Sequence, residues 1–358
     1  MYSRLVELLD SVTANIQTAM STAHEELARL SAIVDPRLVE RFVPRNVQRV
    51  RVGDNLQAAY ETMAREGGVL LLEPGEHRCN LRIRPRDPVA GIVTLTTDAE
   101  IPPPGTRIHP DARPDLAILR AAAPGTPLIT MEPRAHGLAL VGVSIGPQNY
   151  GETQINIGGD AMTAPDQLPS SVLVDRCDFW GDPVRGQHRG IQAHAYGVSI
   201  LNSSFTDYHE EARDAQCIAA WNGVRHLLID NCLLEASSEN VLLGGGNSFS
   251  PEMAPQDVII RRSRFTKNPT WTTLEYRPNI KCLFEIKHVR RCLIEGNVFE
   301  HNWAQAWPTG VAITFKSNNS GREPWAICAD VLFHRNVIRK VGSVFQLVAM
   351  AGGHSEQM

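Results

Sequence analysis

Seven eight-residue segments of this chain share one pattern. They are LALVGVSI (138–145), VLVDRCDF (172–179), VSILNSSF (198–205), LLIDNCLL (227–234), VIIRRSRF (258–265), CLIEGNVF (292–299) and VLFHRNVI (331–338). Each is apolar at positions 1, 3 and 8, and all but the first are small or polar at position 6. The third positions are Leu140, Val174, Ile200, Ile229, Ile260, Ile294 and Phe333, spaced 34, 26, 29, 31, 34 and 39 residues apart. Self-similarity at that period marks a solenoid. The unit alternates with period two and shows no helical periodicity after residue 135, so its elements are strands. A solenoid of short strands stacks each turn in parallel on the one before. The fold expected is an all-β parallel β-helix.

Position 6 holds Cys177, Ser203, Cys232, Ser263, Asn297 and Asn336. In a coil these residues lie above one another near a bend, where Asn amides can bond along a ladder and Ser or Cys fits the same small space. Cys177 and Cys232 are therefore read as buried members of a stack. Ahead of the repeats lie GIQAHA (190–195), CIAAWNG (217–223), NVLLGGG (240–246), CLFEIKH (282–288) and VAITFKS (311–317), which form a second face of the coil. The GGG at 244–246 opens no helix and lacks GK[ST], so it reads as a bend.

The N-terminal third is different. Leu5, Leu9, Val12, Ile16, Ala19, Ala23, Leu27 and Leu30 fall close to a heptad seam, ended by Asp35-Pro36. Residues 1–35 are expected to be an α-helix, either packed alone or in a short coiled coil, most simply a homotrimer. A second, short helix is expected from Asn55 to about Arg65, with Asp54 as its cap, laid across the open end of the coil. The strand VLLLEPG follows it. Residues 84–127 are rich in Pro and read as excursions from early turns. The organisation expected is thus 1–35 for assembly or anchoring, 36–135 for entry into the coil, and 136–358 for regular turns that continue beyond HSEQM.

Charge and cysteine content narrow the function. The formal charge is −4, from 35 basic and 39 acidic residues, which excludes a broad nucleic-acid footprint. No apolar run is long enough to cross a membrane as a helix, and MYSRLVELLDSV, with no basic-led apolar stretch or small-residue cleavage site, does not read as a secretory signal. The seven cysteines form no CxxC pair, so neither a disulfide framework nor a zinc site is expected.

The block NLQAAYETMAREGGVLLLEPGEH (55–77) resembles the entry to pectin-lyase-like right-handed parallel β-helix proteins. Residues 214–246, 255–271 and 281–303 resemble a narrower, uncharacterised bacterial group within that superfamily. The resemblance spans roughly residues 47–358 and implies a right-handed coil. It also implies an association with polysaccharides, since the superfamily includes polysaccharide lyases and glycoside hydrolases. A lyase of this type would require Ca²⁺ held by acidic residues and an Arg base, and a hydrolase paired carboxylates. Neither the aspartate-rich hydrolase signature nor the usual lyase calcium motif is present here, so the resemblance supplies a fold without a reaction.

The residues nominated for chemistry lie on or beside the second face. Glu239, Glu285, Lys287 and Asp214 are the catalytic candidates. Gln216, Trp221, Asn222, Glu235, Asn240 and Trp303 are candidates for substrate binding, with Gln305 and Trp307 in the loop after Glu300. Trp faces stack on sugar rings while carboxylates and amides bind hydroxyls. Glu285 and Lys287 alternate with apolar Phe284 and Ile286, so both should point outward, though an ordinary surface ion pair fits the same spacing. No metal ligand set is assigned, and no cofactor is expected unless the chain is a calcium lyase.

Three functions fit. One is a phage tail spike or fibre, a virion component that binds and depolymerises a cell-surface polysaccharide and contacts other virion proteins through residues 1–35. Another is an extracellular or periplasmic bacterial polysaccharide lyase or glycoside hydrolase. The third is a non-catalytic adhesive β-helix.

Overall fold

The alternation seen in sequence folds into three sheets. The structure, a computed structural model, describes residues 46–87, 89–148, 153–305, 309–317 and 323–348. Every strand pairing between neighbouring turns is parallel, and the chain visits the sheets in a fixed order as it winds. Among the described residues the first sheet has ten strands, from Val47–Val50 to Cys328–His334. The second has nine, from Gly75–Cys79 to Val337–Val341, and the third nine, from Leu81–Ile83 to Ser343–Val348. This is a parallel β-helix. The seven sequence repeats are its later turns; three further strands of the first sheet precede them.

The coil has three faces, because the repeated octet is not one strand. Positions 1–4 lie in the first sheet and positions 7 and 8 open the second, as in Ser170–Asp175 followed by Asp178–Trp180. The corner between them is made at position 5. There Arg176, Asn202, Asn231, Arg262 and Arg335 all have φ between 50° and 54°, and Gly142 and Gly296 have 64°. A single left-handed residue reverses the pleat and turns the chain, at a steric cost for any residue with a Cβ.

The side chains at positions 1, 3 and 8 point inward. Leu140, Val174, Ile200, Ile229, Ile260, Ile294 and Phe333 stand in register in the first sheet. Ile145, Phe179, Phe205, Leu234, Phe265, Phe299 and Ile338 do so in the second. Phe179 stacks on Phe205 at 4.4 Å, and Phe265 on Phe299 at 4.5 Å.

Position 6 forms the expected ladder. The backbone N–H of Cys177 donates to Ser203 Oγ at 3.1 Å, that of Cys232 to Ser263 Oγ at 3.0 Å, and that of Ser263 to Asn297 Oδ1 at 2.9 Å. Asn297 N–H donates in turn to Asn336 Oδ1 at 2.9 Å. These four corner amides are thus satisfied by the side chain of the next turn. Cys177 and Cys232 are fully buried within it.

The short helix is Leu56–Met63. Its cap is Asn55, whose side chain accepts from Ala58 N–H at 3.0 Å; Asp54, the cap expected, instead closes the preceding turn onto Arg51 N–H at 2.8 Å. Leu56, Ala59, Tyr60 and Met63 are buried against the first turns, so the helix covers the apolar end. The Pro-rich segment contributes the strands Val93–Thr97 and Ala117–Ala121, and the stretch between them runs along later turns. It bonds to Arg176 through Pro102 O, to Asn231 through Gly105 O and to Asn202 O through Ile108 N–H. The helix and trimer expected from residues 1–35, Trp307, and the further turn expected at HSEQM lie outside the described residues.

Candidate functional site

The outward side of the third sheet carries a connected polar network. Its strands here are Arg189–Ala193, Gln216–Ala220, Val241–Leu243 and Phe284–Ile286. Ile191, Ile218, Val241 and Phe284 stack in register, which sends Glu285, next to Phe284, to the opposite side, while Arg189 and Gln216 pair with each other at the starts of their strands. Glu239 enters from the corner just before Val241.

The network runs across four turns. Arg189 donates to Gln216 Oε1 at 2.8 and 3.0 Å, and Gln216 Nε2 donates to Glu239 Oε2 at 2.9 Å. Lys281 Nζ lies 3.4 Å from Glu239 Oε1 and 2.6 Å from Asp214 Oδ2, while Asn279 donates to Asp214 Oδ1 at 2.9 Å. Carboxyl oxygens of Glu239 and Glu285 lie within 4.8 Å of each other and of Cys282 Sγ. Lys287 Nζ stands 3.4 Å from Glu285 Oε2.

Burial divides these groups into two layers. Glu239 and Glu285 are 0% and 1% exposed, whereas the side chains of Asp214, Lys281 and Lys287 retain 34%, 19% and 18%. Glu285 does point off the sheet, but it is covered rather than at the surface, so the exposed ion pair considered for Glu285 and Lys287 is corrected to a half-buried one. Burial raises the Glu285 carboxyl to about 7, and the neighbouring Glu239 adds to the rise against the opposing lysines. Burial lowers Arg189 to about 10, with Glu239 acting in the opposite direction. Desolvation would lower Lys281, yet Glu239 and Asp214 leave it raised.

Asp214, Gln216, Glu239, Glu285 and Lys287 therefore meet in one place. Trp221 borders the same network: Arg189 lies 5.1 Å over its ring and Asp160 accepts from its Nε1 at 2.8 Å. Trp221 is nevertheless buried, edge-on to His194 and beneath Gly246. Asn222 is buried too, donating to the carbonyls of Gly159 and Met162 and accepting from Phe249 N–H. Asn240 braces a corner by donating to Leu234 O and Thr266 O. These bonds engage the Asn222 amide and Asn240 Nδ2 in holding loops and corners, while Asn240 Oδ1 is buried without a hydrogen-bond partner.

Glu235 and Trp303 fall elsewhere. Glu235 belongs to the second sheet, where it accepts from Asp207 N–H at 3.2 Å. Burial raises it to about 7 and Asp207 to about 6. Trp303 sits in the loop after Val298–Asn302 and donates to Gln305 at 3.2 Å; Gln305 in turn donates to Pro278 O. The bend at 244–246 has Gly244 and Gly245 at φ 85° and 97°.

Sequence reasoning missed Lys281, Arg189, Asn279 and Cys282. One signal was available. The chain has only five lysines, at 267, 281, 287, 316 and 340, and two of them flank the strand that carries Glu285.

Glu239, Cys282 and Glu285 are the group whose donor atoms are close enough to hold a metal among the described residues. Burial raises the Cys282 thiol well above its ordinary value. One thiol and two carboxyls do not fit Ca²⁺, which takes about six to eight oxygen ligands. Lys281 and Lys287 already supply positive charge there.

No protein-family model and no curated protein matches the chain. Among solved structures it aligns with the A-module of mannuronan C-5 epimerase AlgE4 from Azotobacter vinelandii, at 10% identity and a TM-score of 0.33. The alignment covers 88% of this chain and 98% of that one. The fold described above rests on the strand pairing itself.

Proposed function

We propose that this chain is a carbohydrate-active β-helix that binds a cell-surface polysaccharide along the outward side of its third sheet and acts on it there. One observation carries the reading. Glu285 and Glu239 are buried with carboxyl oxygens within 4.8 Å of each other and an ammonium group against each, and burial raises Glu285 to about 7. Acid–base chemistry on a sugar needs a carboxyl still protonated near neutrality and a neighbouring base. In this reading Glu285 is the acid, Glu239 the base, and Lys281, Lys287 and Arg189 bind and orient anionic or hydroxyl groups. Asp214 and the two lysines form the layer above the acids, so a substrate must displace them to reach the pair.

The test is turnover of capsular and lipopolysaccharide glycans, followed as new reducing ends and as unsaturated uronate absorbance. Glu285→Gln and Glu239→Gln are each expected to lower turnover by about 10²-fold or more while leaving glycan binding in place. Full turnover in both variants would overturn the assignment.

A second reading, a glycan-binding coil without catalysis, is favoured by the burial of both acids and their existing partners. Binding without turnover of any glycan in the wild type would select it. The heptad spacing of residues 3–33 supports a trimeric, tail-spike-like assembly as the setting for either activity. Light scattering of the whole chain tests this: a monomer would overturn it.

A further inference from the structure

Beneath the acid pair lies a lysine that the foregoing reading does not use. Lys267 is fully buried, and its Nζ is surrounded by main-chain oxygens. It donates to Ser237 O at 2.6 Å, Ser238 O at 2.7 Å, Ala236 O at 3.0 Å and Cys282 O at 3.2 Å. Three of these carbonyls form the corner leading into Glu239, and the fourth belongs to the segment leading into Glu285. The ammonium thus ties together two successive turns of the coil at the points from which the two acids project.

We propose that Lys267 is a built-in cation that takes the place of a small monovalent ion in a four-carbonyl cage, and a positioning residue that sets the approach of Glu239 to Glu285. Carbonyl cages of this kind replace a cation's hydration shell. A neutral amine could not do the same, since it has two N–H groups for four acceptors and a lone pair with nothing to accept from. Burial pulls the Lys267 ammonium down to about 7, with Cys282 and Glu239 acting in the opposite direction; the four carbonyls favour the charged form further. The cage also explains how four carbonyls can converge without repelling one another. The positioning role rests on the acid pair being the working site, whereas the cage does not.

Three measurements test the proposal, none of which uses a glycan. In the wild type, ¹⁵N NMR is expected to show the Lys267 ammonium protonated and in slow exchange with water at pH 6; a neutral amine at pH 6 would overturn the charge. In Lys267→Ala, K⁺ or methylammonium is expected to raise the melting temperature saturably, as a ligand specific to the native state must, while tetramethylammonium does not. No response to small cations would overturn the cage. In Lys267→Met, the infrared band of the protonated Glu285 carboxyl, assigned by its loss in Glu285→Gln, is expected to shift. An unchanged band would overturn the positioning role. The wild-type measurement decides the charge even where a variant fails to fold. Absence of glycan turnover together with a shifted band would separate failure of the proposed function from failure of this inference.

Discussion

Glu239 and Glu285 project from adjacent turns of the coil with carboxyl oxygens less than 4.8 Å apart, and neither reaches solvent. They are 46 residues apart in sequence, counting from 239 to 285. Two buried carboxyls this close cannot both ionise without cost. Burial and the neighbouring Glu239 raise the Glu285 carboxyl, which links the candidate site to the stability of the fold.

The first prediction follows from that linkage. Glu285 titrates near 7 in the folded chain against an ordinary 4.5. Between those values the folded state binds more protons than the unfolded state. The contribution of this group is therefore complete below pH 4.5 and is lost as pH rises through 7. Glu285→Gln abolishes the titration. The wild type's unfolding free energy relative to the variant should fall between pH 4.5 and 7, by at most about 1.4 kcal/mol per pH unit, and level off above. Urea titrations of both proteins at several pH values would show it, and a difference independent of pH would refute it.

The corner ladder makes a second prediction. Asn297 accepts from Ser263 N–H and donates to Ile260 O. Asn297→Ala leaves both backbone groups buried without a partner, which should cost about 1–3 kcal/mol. Asn297→Ser restores a hydroxyl like those of Ser203 and Ser263 and should recover part of that loss. Equal urea midpoints for the wild type and the Ala variant would remove the ladder from the account of stability.

A third prediction concerns the left-handed corner. Arg335 has φ 54° and makes only a loose 3.5 Å contact with Glu295. Arg335→Val should destabilise the chain by roughly 1–2 kcal/mol, because a β-branched residue resists this conformation. Arg335→Gly should be neutral or stabilising. Thermal unfolding of the two variants, ranked in the opposite order, would contradict the role assigned to position 5.

Thiol accessibility supplies a fourth. Cys79, Cys177, Cys217, Cys232, Cys282 and Cys292 are buried and unpaired, and Cys328 is half-buried with its thiol raised to about 11. A thiol-specific reagent should label the native chain slowly and at Cys328 alone, and all seven cysteines once urea is added. Rapid labelling of Cys177 or Cys232 in the native state would be incompatible with the stack.

The repeated octet alone determined that this chain is a parallel coil. Inward positions must be apolar in every turn, so Leu140, Val174, Ile200 and their successors write the period directly into the sequence. The ladder of Cys, Ser and Asn at position 6 was legible for the same reason: one environment recurs and selects similar residues. Sequence could not show that the octet bends. The corner residue is Arg, Asn or Gly, and what these share is a backbone angle rather than a side-chain property.

The site was only half legible. Alternation placed Glu285 and Lys287 on the outward side, and proximity to the same face suggested Asp214, Gln216 and Glu239. Which acids meet, and which are covered, depended on the register between turns and on corners of unequal length. Those quantities are fixed by packing across 40 or so residues of chain, where local pattern carries no information. The same holds for Asn222 and Asn240, whose polarity suggests a ligand in sequence but satisfies buried carbonyls in the fold. Lys267 shows it most plainly. By composition it is one more surface cation, and only the convergence of four carbonyls from two turns makes it an interior one.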